Sequence, residues 1–308
     1  MTFDDWVGST RRRARTDGVR PALREAAAEL YWGGLRRLDR LWSVAPTVYE
    51  RDWDVLIVLD GCRCDLIAEV ADEYAFLDAP GRIASPASQS REWIAQTFTA
   101  DRRDAMAGTA YVAANPYTDA LSPADFLLLD EVWRSVWDDE LGTVPARPVT
   151  DRAIDAARTE DPDRLLVHYM QPHFPSVPDP AIESPYRRGD PGWQPGHVWS
   201  QLEAGEVTRE RVWRAYRENL QYVLDEVALL LKNVDGTRVA ITADHGNAFG
   251  EWGVHGHPPR MPLPSLHLVP WYETMAIDRG THEPDQYDEG ETDIAVTEKL
   301  RDLGYLGE

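Results

Sequence analysis

The sequence predicts an α/β fold, a mostly parallel central sheet flanked by helices, and three observations carry that expectation. Trp53-Asp-Val-Leu-Ile-Val-Leu-Asp60, Arg164-Leu-Leu-Val-His-Tyr-Met170 and Arg238-Val-Ala-Ile-Thr-Ala-Asp244 are nearly continuous apolar runs. Such runs, without polar alternation, are what strands buried on both faces require. Helical periodicity over Val149 to Arg158 and over Arg209 to Leu231 separates the runs, and alternation of this kind argues for parallel strands covered by helices.

The elements follow in order. Before the first strand, Leu23, Ala27, Leu30, Tyr31, Leu35, Leu38 and Leu41 recur at helical spacing with arginines between them. Residues 1–50 therefore read as a basic, helical extension, and 51–308 as the main domain. The extension is expected to pack on that domain, with peripheral contact to an anionic membrane surface as the alternative. A helix is expected to begin at about Ser90. A Pro- and Gly-rich stretch from Pro175 to Pro195 reads as an ordered insertion or lid, Gly280 to Glu291 as an acidic loop, and Asp293 to Leu303 as a closing helix.

Composition narrows the function classes. The 308 residues carry a formal net charge of −21, and Lys232 and Lys299 are the only lysines. A chain with 43% hydrophobic residues is not disordered, so the acids should lie on a folded surface. Because they are spread along the chain rather than gathered in one tail, adaptation to molar salt is the reading, with an acidic face for a basic partner as the alternative. The same charge argues against a nucleic-acid partner. Cys62 and Cys64 lie too close in sequence for an easy disulfide, and neither a signal-peptide core nor a run of about 20 apolar residues is present. The expected location is cytoplasmic, extending to the inner membrane surface if the amino-terminal helix docks there.

The chemistry-bearing residues collect where the predicted strands end. Asp60 and Asp244 close two runs, His245 follows directly, His173 follows the third, and His255-Gly-His257 lies in a later loop. Open α/β sheets place functional groups beyond the carboxyl ends of their strands. Mixed carboxylate and imidazole ligands suit zinc or manganese better than calcium. Each residue alone has a plainer role as a cap, a turn residue or a solvated histidine. However, five of the eight histidines (His168, His173, His245, His255 and His257) fall at or just after strand ends.

The strand ending in Asp60, the Thr242-Ala-Asp-His-Gly246 element, Gly250-Glu-Trp-Gly253, Gly256-His257 and Leu303-Gly-Tyr305 resemble the sulfatase-like branch of the alkaline phosphatase superfamily. Leu59-Asp-Gly-Cys-Arg-Cys-Asp65, Tyr111-Val-Ala-Ala-Asn-Pro116, His168-Tyr-Met-Gln-Pro-His173 and Tyr216-Arg-Glu-Asn219 resemble, more closely, a group of such proteins frequent in salt-loving archaea. The resemblance spans about residue 50 to the end. It implies an alkaline-phosphatase-like fold and a site of one or two divalent ions, with Asp60, Asp244 and His245 as ligands of the first. It also implies His257 as a ligand of a second ion and His173 as a ligand or general acid near the transferred group.

The resemblance places the nucleophile within Ser85 to Trp93, where Ser88 is favoured over Ser90 because it precedes the expected helix start and its amide donors. The Cys- or Ser-x-Pro-x-Arg signature of true sulfatases is absent, and the Asp-His pair replaces their Asp-Asn pair. Both departures point to phosphoryl chemistry. The expected function is a metal-dependent hydrolase or transferase of phosphate or sulfate esters, small-molecule or glycan, including lipid-linked precursors. The alternatives are a sulfuric ester hydrolase and a non-catalytic binding member of the same fold.

Overall fold

The computed structural model describes residues 45–182, 198–287 and 296–303, with scattered positions before residue 45. The stretch of helical spacing from Leu23 to Leu41, the end of the 175–195 insertion and the terminal Gly304-Tyr305 therefore lie outside the described residues, apart from those scattered positions.

A seven-stranded sheet organises the chain, in the order β2-β9-β6-β1-β5-β3-β4. Its centre is built from the three apolar runs: β1 (Val55–Leu59), β5 (Arg164–Tyr169) and β6 (Gly236–Thr242). β1 pairs in parallel with both others, Leu59 opposite Tyr169 and Val58 opposite Thr242. Every residue of β1 is buried, as its lack of polar alternation requires. β3 (Thr109–Ala113) and β4 (Leu128–Glu131) extend the parallel part beyond β5. On the other side β9 (Leu268–Ala276) runs antiparallel to β6 and also pairs antiparallel with β2 (Pro80–Ala84), so β9 alone opposes the sheet direction. A small hairpin of β7 (Ala248–Phe249) and β8 (His255–Gly256) stands apart.

The helices are α1 (Cys64–Val70), α2 (Ser90–Thr97), α3 (Arg103–Ala107), α4 (Ala146–Glu160), α5 (Val198–Ala204), α6 (Arg209–Leu230), α7 (Pro264–His267) and α8 (Val296–Asp302). Strand alternation on β5 assigns two of them to opposite faces. The Tyr169 hydroxyl bonds Thr150 of α4 at 2.8 Å, whereas His168, pointing the other way, meets Trp93 of α2 edge-on. α6 packs on α4, and its apolar stripe, including Val212, Leu220, Val223, Leu224 and Val227, joins the single large core that also takes in Tyr49 and Trp53. At about 25 cal/mol per Å² of apolar surface, burial of this kind is the main term holding the layers together. No described helix is long and apolar enough to cross a membrane.

Candidate metal centre

Four parallel strands deliver their successors to one edge of the sheet. β1 leads to Asp60, β3 to Asn115, β5 to His173 and β6 to Asp244 and His245, and all five are buried. Two features let the first of these turns form. Gly61 adopts φ +67°, and a side chain there would bring its Cβ to 2.7 Å from Asn247 Nδ2. Its amide donates to Asp244 Oδ1 at 3.0 Å, so the β1 and β6 termini are joined at the site itself. Gly246 serves a different purpose. Its φ is not positive, and its Cα lies against the Ser265 carbonyl where no Cβ fits.

Asp60, Asp244 and His245 offer ligand atoms that all lie within 4.8 Å of one another, each residue fully buried. Asp244 Oδ1 accepts from the Gly61 and His245 amides, while its Oδ2 has no hydrogen-bond partner and faces His245 Nε2 at 3.5 Å. His245 Nδ1 donates to the Gly246 carbonyl at 2.8 Å, because a carbonyl can only accept. In the neutral ring this turns the lone pair of Nε2 toward Asp244 and toward Asp60 Oδ1 at 3.6 Å. A buried lone pair aimed at two carboxylates, one oxygen of which is orphaned, is unfavourable without a cation between them. The residues therefore fit a divalent ion, and the backbone bond to Nδ1 is the usual orienting contact of a metal-binding histidine.

Asp60 Oδ2 accepts from the Ser90 hydroxyl at 3.0 Å and from Asn115 Nδ2 at 2.7 Å. Burial acts to raise the Asp60 carboxyl, but the neighbouring His168, His173 and His245 imidazoles outweigh it, holding the group below the usual carboxylate range.

Ser90 is the first residue of α2, preceded by Gln89 in extended conformation, and its hydroxyl lies 3.2 Å from His245 Nε2 as well as 3.0 Å from Asp60 Oδ2. Ser88, also buried, turns elsewhere. Its hydroxyl donates to the Pro258 carbonyl at 3.0 Å, lies 3.1 Å from Glu92 Oε2 and accepts from the Met261 amide at 3.3 Å, fastening the later histidine loop to α2. The sequence favours Ser88 as nucleophile, yet it is the Ser90 hydroxyl that lies against Asp60 and His245, while Ser88 is turned to the later loop.

His173 and His257 face each other, Nε2 to Nε2 at 2.8 Å, and the His257 ring stands 4.7 Å from that of His245. His173 Nδ1 donates to the Phe174 carbonyl at 2.5 Å, so in the neutral ring its Nε2 accepts from His257. Burial lowers His173, and burial with the neighbouring His245 and His173 lowers His257 well below the ordinary imidazole value. His255 is not brought into this group. It pairs with Phe249 in the small hairpin, partly exposed, with its ring against Gly250.

Helix α6 supports the edge from behind. Tyr216 donates to the Gly61 carbonyl, and Asn219 donates to the Pro172 and His173 carbonyls at 3.1 and 3.0 Å and accepts from the Val177 amide. Asn115, Tyr111 and His168 went without a role in the sequence reading. The available signal was a histidine and an asparagine at the ends of otherwise apolar runs, but only the β1-β5-β3 adjacency puts them beside Asp60.

No protein-family model and no curated protein matches the chain. Among solved structures it is similar to the C-terminal periplasmic domain of phosphoethanolamine transferase EptC from Campylobacter jejuni. That likeness has 15% identity and a TM-score of 0.44, covering 72% of this chain and 78% of that one. The soluble domain of lipooligosaccharide phosphoethanolamine transferase A from Neisseria meningitidis is similar at 14% identity and TM-score 0.44, covering 71% and 75%. A sulfatase-type protein, yidJ from Bacteroides fragilis, is similar at 14% identity and TM-score 0.35, covering 80% and 70%.

Proposed function

We propose that the protein is a metal-dependent hydrolase or transferase of phosphate esters, with Ser90 as its nucleophile and Asp60, Asp244 and His245 as the ligands of a divalent ion. The observation that supports this most is the Ser90 hydroxyl, buried and held 3.0 Å from Asp60 Oδ2 and 3.2 Å from His245 Nε2. A bound zinc or manganese ion would supply Lewis acidity, lowering the pKa of the serine hydroxyl and balancing charge on the transferred group.

The chain's own groups do the rest. Asp60 Oδ2, which accepts the Ser90 hydrogen, is placed to take that proton as Oγ bonds to phosphorus and the bond to the leaving oxygen breaks, while His245 Nε2 keeps its lone pair for the ion. The leaving oxygen takes its proton from solvent, and the paired His173 and His257 rings line the same edge of the site. A water or sugar hydroxyl then attacks the phosphoserine and returns Ser90. Ser88 keeps the α2 amino terminus and the His257 loop in register without touching the reacting atoms. The sequence lacks the signature from which sulfatases form formylglycine, which favours phosphate over sulfate.

The test combines elemental analysis of dialysed protein with a screen of aryl phosphate, phosphodiester and sulfate esters. At least one ion per chain, lost in Asp244→Ala, with phosphate esters turning over fastest, is expected. Fastest turnover of sulfate esters would favour a sulfatase. Metal uptake without turnover of any ester would favour a binding protein, and no uptake would overturn the proposal.

A further inference from the structure

His168 lies on β5, fully buried, with Nε2 3.6 Å from Asp60 Oδ2 and 3.9 Å from Asp244 Oδ2. That nitrogen has no hydrogen-bond partner within normal range, and neither has Asp244 Oδ2. His168 also stands outside the cluster whose ligand atoms fall within 4.8 Å of one another. It is therefore behind the carboxylates rather than among the ligands. On its other side Nδ1 meets the Tyr111 hydroxyl at 2.9 Å, and Trp93 closes the space edge-on with ring centroids 5.6 Å apart.

The tautomer follows from counting donors. Tyr111 is fully buried, and burial raises its hydroxyl well above the ordinary value, so the oxygen keeps its hydrogen. Among the described residues, His168 Nδ1 is the one hydrogen-bond partner of that hydroxyl. The hydroxyl therefore donates to Nδ1, which leaves the ring hydrogen on Nε2, aimed between two groups that can only accept. The opposite tautomer would strand the tyrosine hydrogen and point a lone pair at two carboxylates, leaving both buried groups unsatisfied.

We propose that Tyr111 and His168 form a positioning relay for the metal centre, in which the His168 Nε2 hydrogen spans Asp60 and Asp244 and fixes which carboxylate oxygens face the ion. This rests on the proposed metal site and adds a role that none of the ligands can fill. The relay ties three strands together across the sheet, Tyr111 on β3, His168 on β5 and Asp60 at the end of β1, so it sets the spacing of the carboxylates. Removing such an outer contact to a metal ligand lowers affinity by about 10–100-fold.

The test titrates the full chain, freed of metal, with Co²⁺ and Mn²⁺ alone, reading dissociation constants by calorimetry and geometry from the visible Co²⁺ spectrum. His168→Phe, which keeps an aromatic ring and loses the donor, should bind about 10–100-fold more weakly and shift the Co²⁺ bands. His168→Gln, whose amide can donate from nearly the same place, should recover part of the loss. Tyr111→Phe should weaken binding less, and combining it with His168→Phe should add little, since the two act in series. If His168→Phe does not fold, Tyr111→Phe carries the test. Wild-type binding with unchanged constants and spectra in the folded variants would overturn the relay and leave the metal site standing. No binding by the wild type would remove both.

Discussion

The Arg63 guanidinium donates to the Asn247 carbonyl at 2.6 Å, joining the segment that follows Asp60 to the segment that follows His245. The same side chain reaches Glu251 at 2.8 Å, forks onto Asp65 at 2.8 and 2.6 Å, and lies over the rings of Trp213 and Phe249. It is 7% exposed. Lysine offers a point charge and cannot make the planar fork. Arg63→Lys should cost about 2 kcal/mol, and Arg63→Ala somewhat more, because Glu251 and the Asn247 carbonyl lose a charged donor. Denaturant unfolding measures both. Metal affinity should fall along with stability, since one side chain holds both ligand loops. A normal affinity in a destabilised Arg63→Lys would show the two loops to be positioned independently.

Ser90→Ala and Ser88→Ala should differ in kind. Ser90→Ala should remove turnover of phosphate esters by orders of magnitude while the thermal midpoint changes little, since the hydroxyl contacts ligands rather than framework. Ser88→Ala breaks bonds to Pro258 and Met261 and should cost about 1–2 kcal/mol in stability while retaining measurable turnover. Acid quenching after a single turnover, with mass mapping of the phosphorylated peptide, reads the result directly. Label on Ser88 would reverse the assignment, and label on neither, with activity surviving both changes, would mean that water attacks directly.

Legibility in the sequence tracked how local each signal was. β1, β5 and β6 were readable because strands buried on both faces leave uninterrupted apolar runs, and the α2 start was placed at Ser90, where the helix begins. β9 was not readable, because Pro270 interrupts it and proline argues against a strand with partners on both sides, yet β9 lies between β2 and β6. β2, Pro-Gly-Arg-Ile-Ala with its first three residues exposed, carries neither a run nor an alternation. In the site, Asp60, Asp244 and His245 could be gathered by one rule about strand ends. The proposal of Ser90 over Ser88 draws on the later loop, since it is Pro258 and Met261, some 170 residues on, that claim the Ser88 hydroxyl.

Asp54 gives a pH prediction away from the site. Its carboxylate is lowered from 3.8 to about 2, first by the hydrogen bond from the Arg238 side chain, which with smaller contributions from the Thr237 hydroxyl and the Arg238 and Thr237 amides outweighs the opposing effect of burial. These bonds tie the start of β1 to β6. A carboxyl with a depressed folded value contributes stability that is present above its unfolded value and lost as pH falls through the folded one. The contribution should therefore disappear between about pH 4 and pH 2. Asp54→Asn should be less stable than wild type at pH 6, with the gap closing over that window. Equal unfolding free energies at pH 6 would show that solvent screening at this partly exposed position cancels the effect.

The net charge of −21 predicts how the fold responds to salt. Many arginines are already committed to acids at short range: Arg134 bridges Asp119 and Glu131, Arg238 bridges Asp52 and Asp54, and Arg152 forks onto Asp130. Screening weakens such exposed pairs, each worth about 0–1 kcal/mol, and on that ground alone salt would destabilise. The uncompensated acids act the other way, repelling one another over longer distances in the compact state. With so large an excess, relief of repulsion should win, and the thermal midpoint should climb from about 0.1 M KCl upward. Screening alone is nearly complete once the Debye length has fallen to about 3 Å at 1 M. A climb that continues to several molar would therefore mark hydrated cations held by the acidic surface, the behaviour of a salt-adapted protein. A relief of about 3 kcal/mol corresponds to a rise of roughly 6–12 °C, well within the reach of a melting series. A midpoint that rises to 1 M and then stays level would leave ordinary screening as the whole effect, and one that is flat throughout would mean that the exposed arginine pairs offset the repulsion.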